Sequence, residues 1–96
     1  FPDTDPQWAG ANSLILLAHV AQLVRSAGYE IGNVDCSIVC EKPKIAPHRE
    51  EMQKLLSDAA GATITIKGRR AEGLGALGRE EGIACWAVAV IERTQA

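Results

Sequence analysis

From Asn12 to Ala27 apolar residues recur at helical spacing. Leu14, Leu17, Ala18, Ala21 and Val24 share one face, and Ile15, Leu16, Val20 and Leu23 widen it. The pattern predicts a helix capped by Asn12 or Ser13 and stopped by Gly28. An apolar surface this wide predicts that the helix is largely buried. The period then changes to two. In NVDCSIVCE, residues 33–41, Val34, Cys36, Ile38 and Cys40 fall on one face and Asp35, Ser37 and Val39 on the other, which predicts a strand.

KPKIAP at 42–47 breaks that strand, and Pro47 suits the first turn of a second helix with Glu50 and Glu51 at its positive end. Met52, Leu55, Leu56 and Ala59 supply its apolar stripe, and Gly61 ends it. TITIK at 63–67 reads as a second strand. IACWAVAVIE at 83–92 is almost continuously apolar, which predicts a central strand covered on both faces. Residues 1–12, with prolines and aspartates in FPDTDP, read as a loop. The order helix, strand, helix, strand, loop, strand implies an α+β (α/β sandwich) fold in which two helices pack on one face of a small sheet.

Composition narrows the function classes. Ninety-six residues make a single domain whose modest core makes self-assembly a reasonable expectation. Ten basic against twelve acidic side chains give a net charge of −2, which disfavours a general nucleic-acid binder. No apolar run reaches the ~18 residues of a membrane span. Three cysteines, an odd number, fit a reducing compartment better than a disulfide scaffold. Cys36 and Cys40, four apart in a strand, stand roughly 13 Å from one another and cannot share one metal directly. They read as small buried hydrophobes.

Gly73-Leu74-Gly75-Ala76-Leu77-Gly78 spells G-x-G-x-x-G, the turn of a dinucleotide-binding fold. That fold needs a strand running directly into a helix. Here five residues separate the TITIK strand from Gly73, and another strand follows Gly78 closely. The flanks weigh against a nicotinamide site and favour two other readings, a plain connection or a phosphate loop lined by backbone N–H groups. Arg69, Arg70 and Arg79 offer phosphate donors nearby.

Three stretches taken together resemble the 2-C-methyl-D-erythritol 2,4-cyclodiphosphate synthase family of non-mevalonate isoprenoid synthesis. FPDTDP at 1–6 is similar to its substrate loop, GYEIGNVDCSIVCEKPKIAPH at 28–48 to its strand and cytidine-binding loop, and GREEGIAC at 78–85 to its G-R-G-E-G-I-A-C. The similarity runs through essentially all 96 residues. It implies conversion of 4-diphosphocytidyl-2-C-methyl-D-erythritol 2-phosphate to the cyclic diphosphate with release of CMP. It also implies a homotrimer, a zinc with a second divalent ion (magnesium or manganese), and a bacterial cytoplasm or a plastid. The alternative is a non-catalytic relative that binds cytidine nucleotides or only forms the trimer.

The same resemblance distributes roles. Phe1, Pro2, Asp3, Thr4 and Asp5 would meet the substrate, with the aspartates near its erythritol end; on the residues alone they are turn formers. Cys40, Glu41, Lys42, Pro43, Lys44, Ile45 and Ala46 would cradle cytosine, largely through backbone groups. Arg69, Ala71, Ala76 and Arg79 would line the phosphates, and Glu72 would hold the second metal ion. The family's K-A-T-T-T-E reads Lys67-Gly68-Arg69-Arg70-Ala71-Glu72, so Arg70 stands where a catalytic threonine is expected. Its G-F-T-G-R-G-E-G reads Gly75-Ala76-Leu77-Gly78-Arg79-Glu80-Glu81-Gly82, which adds a carboxylate beside Arg79. The family's zinc ligands, an Asp-x-His pair and a later histidine, precede the FPDTDP loop and have no counterpart in these 96 residues. His19 and His48 read as structural.

Overall fold

A computed structural model of the chain describes residue 1 and residues 4–69, 75–79 and 81–94. The first helix, α1 (Ser13–Ser26), starts as expected: the Asn12 side chain accepts a hydrogen bond from the Leu14 N–H at 2.8 Å. It stops at Gly28, whose φ of 94° suits a residue without a side chain. Strand β1 (Tyr29–Val39) follows at once and is longer at its start than the alternating stretch alone suggests. Cys40 and Glu41 already belong to the loop beyond it. A 3-10 turn, Ala46–His48, carries Pro47 and feeds α2 (Arg49–Ala60). Gly61 ends α2 in the left-handed region at φ 66°. Strand β2 (Thr63–Arg69), the single turn α3 (Gly75–Gly78) and strand β3 (Ala84–Arg93) complete the described elements.

The three strands lie in the order β2-β1-β3. β1 pairs parallel with β2 and antiparallel with β3, with a register shift between Ile31 and Asn33. Position in the sheet therefore overturns the expectation for residues 83–92. Among the described residues β1 is central, and β3 stands at the edge and is exposed along nearly its whole length, with Trp86 62% and Val88 69% accessible. The apolar run cannot distinguish the two places, because strand order is set by pairing and not by composition.

Both helices cover one face of the sheet. Ala60, Ile64 and Ile66 are buried there, with Leu17, Val34, Cys36, Ile38, Met52 and Leu56 packed around them. α2 does more than bury apolar area. The Ser57 hydroxyl accepts the Ile64 N–H and the Gln53 side-chain carbonyl accepts the Ile66 N–H, each at 2.9 Å. These two side chains satisfy the outer edge of β2, which would otherwise present unpaired donors. Arg25 then ties the helices together, donating to the carbonyls of Ala60 at 2.7 Å and Gly61 at 3.2 Å.

α1 departs from its expected burial. Only Ala21 is fully buried, while Ile15 and Leu23 are 61% and 54% exposed. The helix lies over β1 and α2, and its outer apolar positions find no packing partner among the described residues. Of the cysteines read as buried hydrophobes, Cys40 is buried and Cys36 half-buried; Cys85 is exposed.

Candidate functional site

Parallel pairing brings the carboxyl ends of β1 and β2 side by side, with Val39 opposite Arg69. β3 begins at the same end, with Ala84 opposite Val39. Ligands in α/β sheets bind outside the carboxyl ends of parallel strands, where successive loops leave the sheet. Here those loops are the two that sequence patterning marks as chemical: residues 40–46, and the segment after Arg69 that returns through Arg79.

Residues 40–46 are fastened to β2. The Cys40 N–H donates to the Arg69 carbonyl at 2.9 Å, extending the ladder one residue past β1. The Cys40 thiol turns into the loop and donates to the Lys42 carbonyl at 3.0 Å. Glu41 is buried at 8% exposure, and the Lys42–Pro43 peptide is cis. Ile45 folds back over Gly68, where a side chain would collide with it: a Cβ there would lie 2.4 Å from the Ile45 Cβ. A pocket of about 150 Å³ opens between these parts, lined by Cys40, Lys44, Ile45, Ala46, Gly68 and Arg69. Ligand pockets for drug-sized molecules run from about 300 Å³ upward, so this one holds a single ring rather than a whole nucleotide. Its rim has two cations, Lys44 and Arg69, suited to the anionic part of such a ligand. On the far side of the same loop an apolar hollow of about 520 Å³ is bounded by Pro43, Ile45, Met52, Leu55 and Ile83, with His48 and Glu51 beside them.

Five of the expected residues, Cys40, Lys44, Ile45, Ala46 and Arg69, thus line one pocket. Glu41, Lys42 and Pro43 shape its loop. Arg79 stands just beyond α3, its N–H donating to the Gly75 carbonyl at 3.1 Å. Its guanidinium is held by Glu81 through two contacts, Nε to Oε1 at 2.7 Å and Nη2 to Oε2 at 3.2 Å. The carboxylate facing Arg79 in the described residues is therefore Glu81. Ala76 lies in α3; the turn has four residues, too short to be the helix of a dinucleotide fold. Pro2, Asp3, Arg70, Ala71 and Glu72 lie outside the described residues.

Phe1, Thr4 and Asp5 do not line this pocket. Asp5 caps the 3-10 turn Pro6–Trp8, accepting the Gln7 N–H at 2.9 Å. Phe1 stacks edge-on against Trp8 at 4.6 Å and against His19 of α1 at 5.5 Å, and Trp8 and His19 are 5.4 Å apart. This ring cluster fixes Phe1 and Trp8 on α1 and gives His19 a structural place. Gly68 was visible in the sequence only as a departure from K-A-T-T-T-E. Its closeness to Ile45 joins positions 23 apart in the chain, which no local pattern encodes.

The model of the YgbB family matches residues 1–92. A 2-C-methyl-D-erythritol 2,4-cyclodiphosphate synthase from Bacillus cytotoxicus is 47% identical over 96 residues, covering 97% of this chain and 61% of the relative. The chain thus spans about three fifths of that relative's length. Among solved structures, the cyclodiphosphate synthase of Plasmodium vivax superposes with a TM-score of 0.82 at 38% identity, over 88% of this chain and 58% of the other. The CDP complex of IspF from Plasmodium falciparum superposes at 0.80 and 31% identity, over 88% and 56%.

Proposed function

Because this chain belongs to the YgbB family, we propose that it takes part in converting 4-diphosphocytidyl-2-C-methyl-D-erythritol 2-phosphate to 2-C-methyl-D-erythritol 2,4-cyclodiphosphate, with release of CMP. The observation that carries this reading is the pocket at the carboxyl ends of β1 and β2. It is of single-ring size, walled by a loop tied to β2 through backbone hydrogen bonding, and flanked by Lys44 and Arg69. Cytosine fits such a pocket through backbone donors and acceptors of residues 40–46, and the two cations meet the attached diphosphate. By resemblance, Arg70 and Arg79 are proposed to meet the phosphates. Asp3 and Asp5 are proposed for the erythritol end. Catalysis of this kind consists of positioning and charge neutralisation, with no covalent protein nucleophile.

The resemblance also brings a zinc and a second divalent ion, magnesium or manganese, with Glu72 as a ligand of the second. Among the described residues no three His, Cys, Asp or Glu side chains gather to hold a metal. Those residues do not fit a zinc centre. A homotrimer and a bacterial cytoplasm or a plastid complete the proposal. The relatives named for this activity include bacterial proteins, and no described helix is long and apolar enough to cross a membrane.

Titration calorimetry with CMP and CDP tests the pocket, and CMP release from the diphosphocytidyl substrate tests the chemistry. Saturable CMP binding that Lys44→Ala and Arg69→Ala weaken is the expected result. Binding unaffected by both substitutions overturns the site, and binding without CMP release favours the non-catalytic relative, for which the Arg79–Glu81 pairing is the supporting observation.

A further inference from the structure

The two cations at the rim of the ring pocket, Lys44 and Arg69, suit a phosphate. Every nucleotide carries one, so these side chains bind the anion without reading the base. The choice of base falls to the walls. At about 150 Å³ the space admits one ring, and the contact between Ile45 and Gly68 sets that size. A Cβ on Gly68 would stand 2.4 Å from Ile45 Cβ and 2.9 Å from its Cγ2. Gly68 occupies the alanine position of the K-A-T-T-T-E pattern. The loop of this chain therefore sits lower on β2 than a side chain at residue 68 would allow.

We propose that Ile45, seated on Gly68, is the specificity-determining wall of the pocket and selects pyrimidine over purine nucleotides by size. The proposal deepens the nucleotide reading of this site and rests on it. Ile45 is fixed from behind, being packed against the buried cluster of Ala60, Ile64 and Ile66. Its branched Cβ restricts χ1, which makes the wall stiff. Ile45 is also a partition: it lines the ring pocket on one side and the apolar hollow on the other. Cys40 lines both as well, but it is buried and its thiol is engaged with the Lys42 carbonyl.

Hydrogen bonding and size make different choices. Loop backbone groups can separate cytosine from uracil, which share one ring size. Shape separates both from adenine and guanine. Ile45→Ala removes the γ and δ carbons of the wall, opening room on the scale of the imidazole ring that distinguishes a purine from a pyrimidine. The room gained is that of the side chain itself, so it does not depend on what adjoins the hollow beyond.

Isothermal titration of the parent, Ile45→Ala and Ile45→Val with CMP, UMP, AMP and GMP tests the wall, with thermal unfolding of each protein as the check on folding. The parent should bind CMP about 10-fold or more tightly than AMP or GMP, the penalty of forcing extra atoms into a packed site. Ile45→Ala should strengthen AMP and GMP several-fold while CMP and UMP weaken together. Ile45→Val, which loses one carbon and keeps the branch, should shift in the same direction by less, and it decides the matter if the alanine variant does not fold. A parent that binds purines as tightly as CMP, a purine gap that the folded variants leave unchanged, or UMP gaining alongside AMP and GMP overturns this proposal alone. A parent that binds no nucleotide overturns the nucleotide reading, and the proposal falls with it.

Discussion

Ile45 lies over Gly68 so closely that no side chain fits between the residue 40–46 loop and β2; even the first carbon would stand 2.4 Å from Ile45 Cβ. The contact sets the spacing of the loop and β2 beside the pocket that both line. Gly68→Ala must displace either the loop or the strand. Forced overpacking costs about 1–3 kcal/mol, which for a domain of this size lowers Tm by about 4–8 °C per kcal/mol. Thermal unfolding should show that drop and calorimetry a weaker CMP affinity. The double variant Gly68→Ala, Ile45→Gly should recover part of the loss, since the colliding Cβ is gone.

The edge of β2 depends on α2 side chains. Gln53→Ala leaves the N–H of buried Ile66 without its acceptor, and an unsatisfied buried donor costs about 1–3 kcal/mol. Denaturant unfolding should register that loss. Gln22→Ala, on the exposed side of α1, should stay within about 0.5 kcal/mol of the parent. Amide exchange at Ile66 should quicken in the first variant and not in the second.

Glu81 competes with any anion for Arg79. The pair is well exposed, and exposed pairs are worth only about 0.2–1 kcal/mol. Glu81→Gln should therefore raise CDP affinity modestly, by about 1.4- to 5-fold. Arg79→Ala should lower it and make Glu81→Gln silent when the two are combined. Isothermal titration of the four proteins closes the cycle.

Stability should fall on the alkaline side. Burial, followed by Cys85 and Asp35, holds the Cys36 thiol above its ordinary value of 9.0. Between the unfolded and folded values the native chain binds the extra proton, so unfolding becomes easier as pH rises. The contribution is fully present below the unfolded thiol value and is lost as pH climbs through the folded one. Urea unfolding under reducing conditions at neutral and alkaline pH should show this decline, and Cys36→Val should flatten it.

Much of the fold is legible along the chain because its causes are local. Asn12 begins α1 and Gly61 ends α2 through bonds and dihedral angles of their immediate neighbours. Period-two alternation identifies β1, and the spacing of FPDTDP, the 40–46 loop and GREEGIAC carries the family resemblance. Strand order is not local. The nearly all-apolar 84–93 stretch has the composition of a central strand and occupies an edge, because β1 pairs with both neighbours and nothing described pairs beyond β3. Tertiary structure alone also joins Gly68 to Ile45, Gln53 to the edge of β2, Arg25 to the end of α2, and Cys36 to Cys85. Each is a contact between residues far apart in the chain, made only when the helices and sheet close on one another, so periodicity and capping do not encode it.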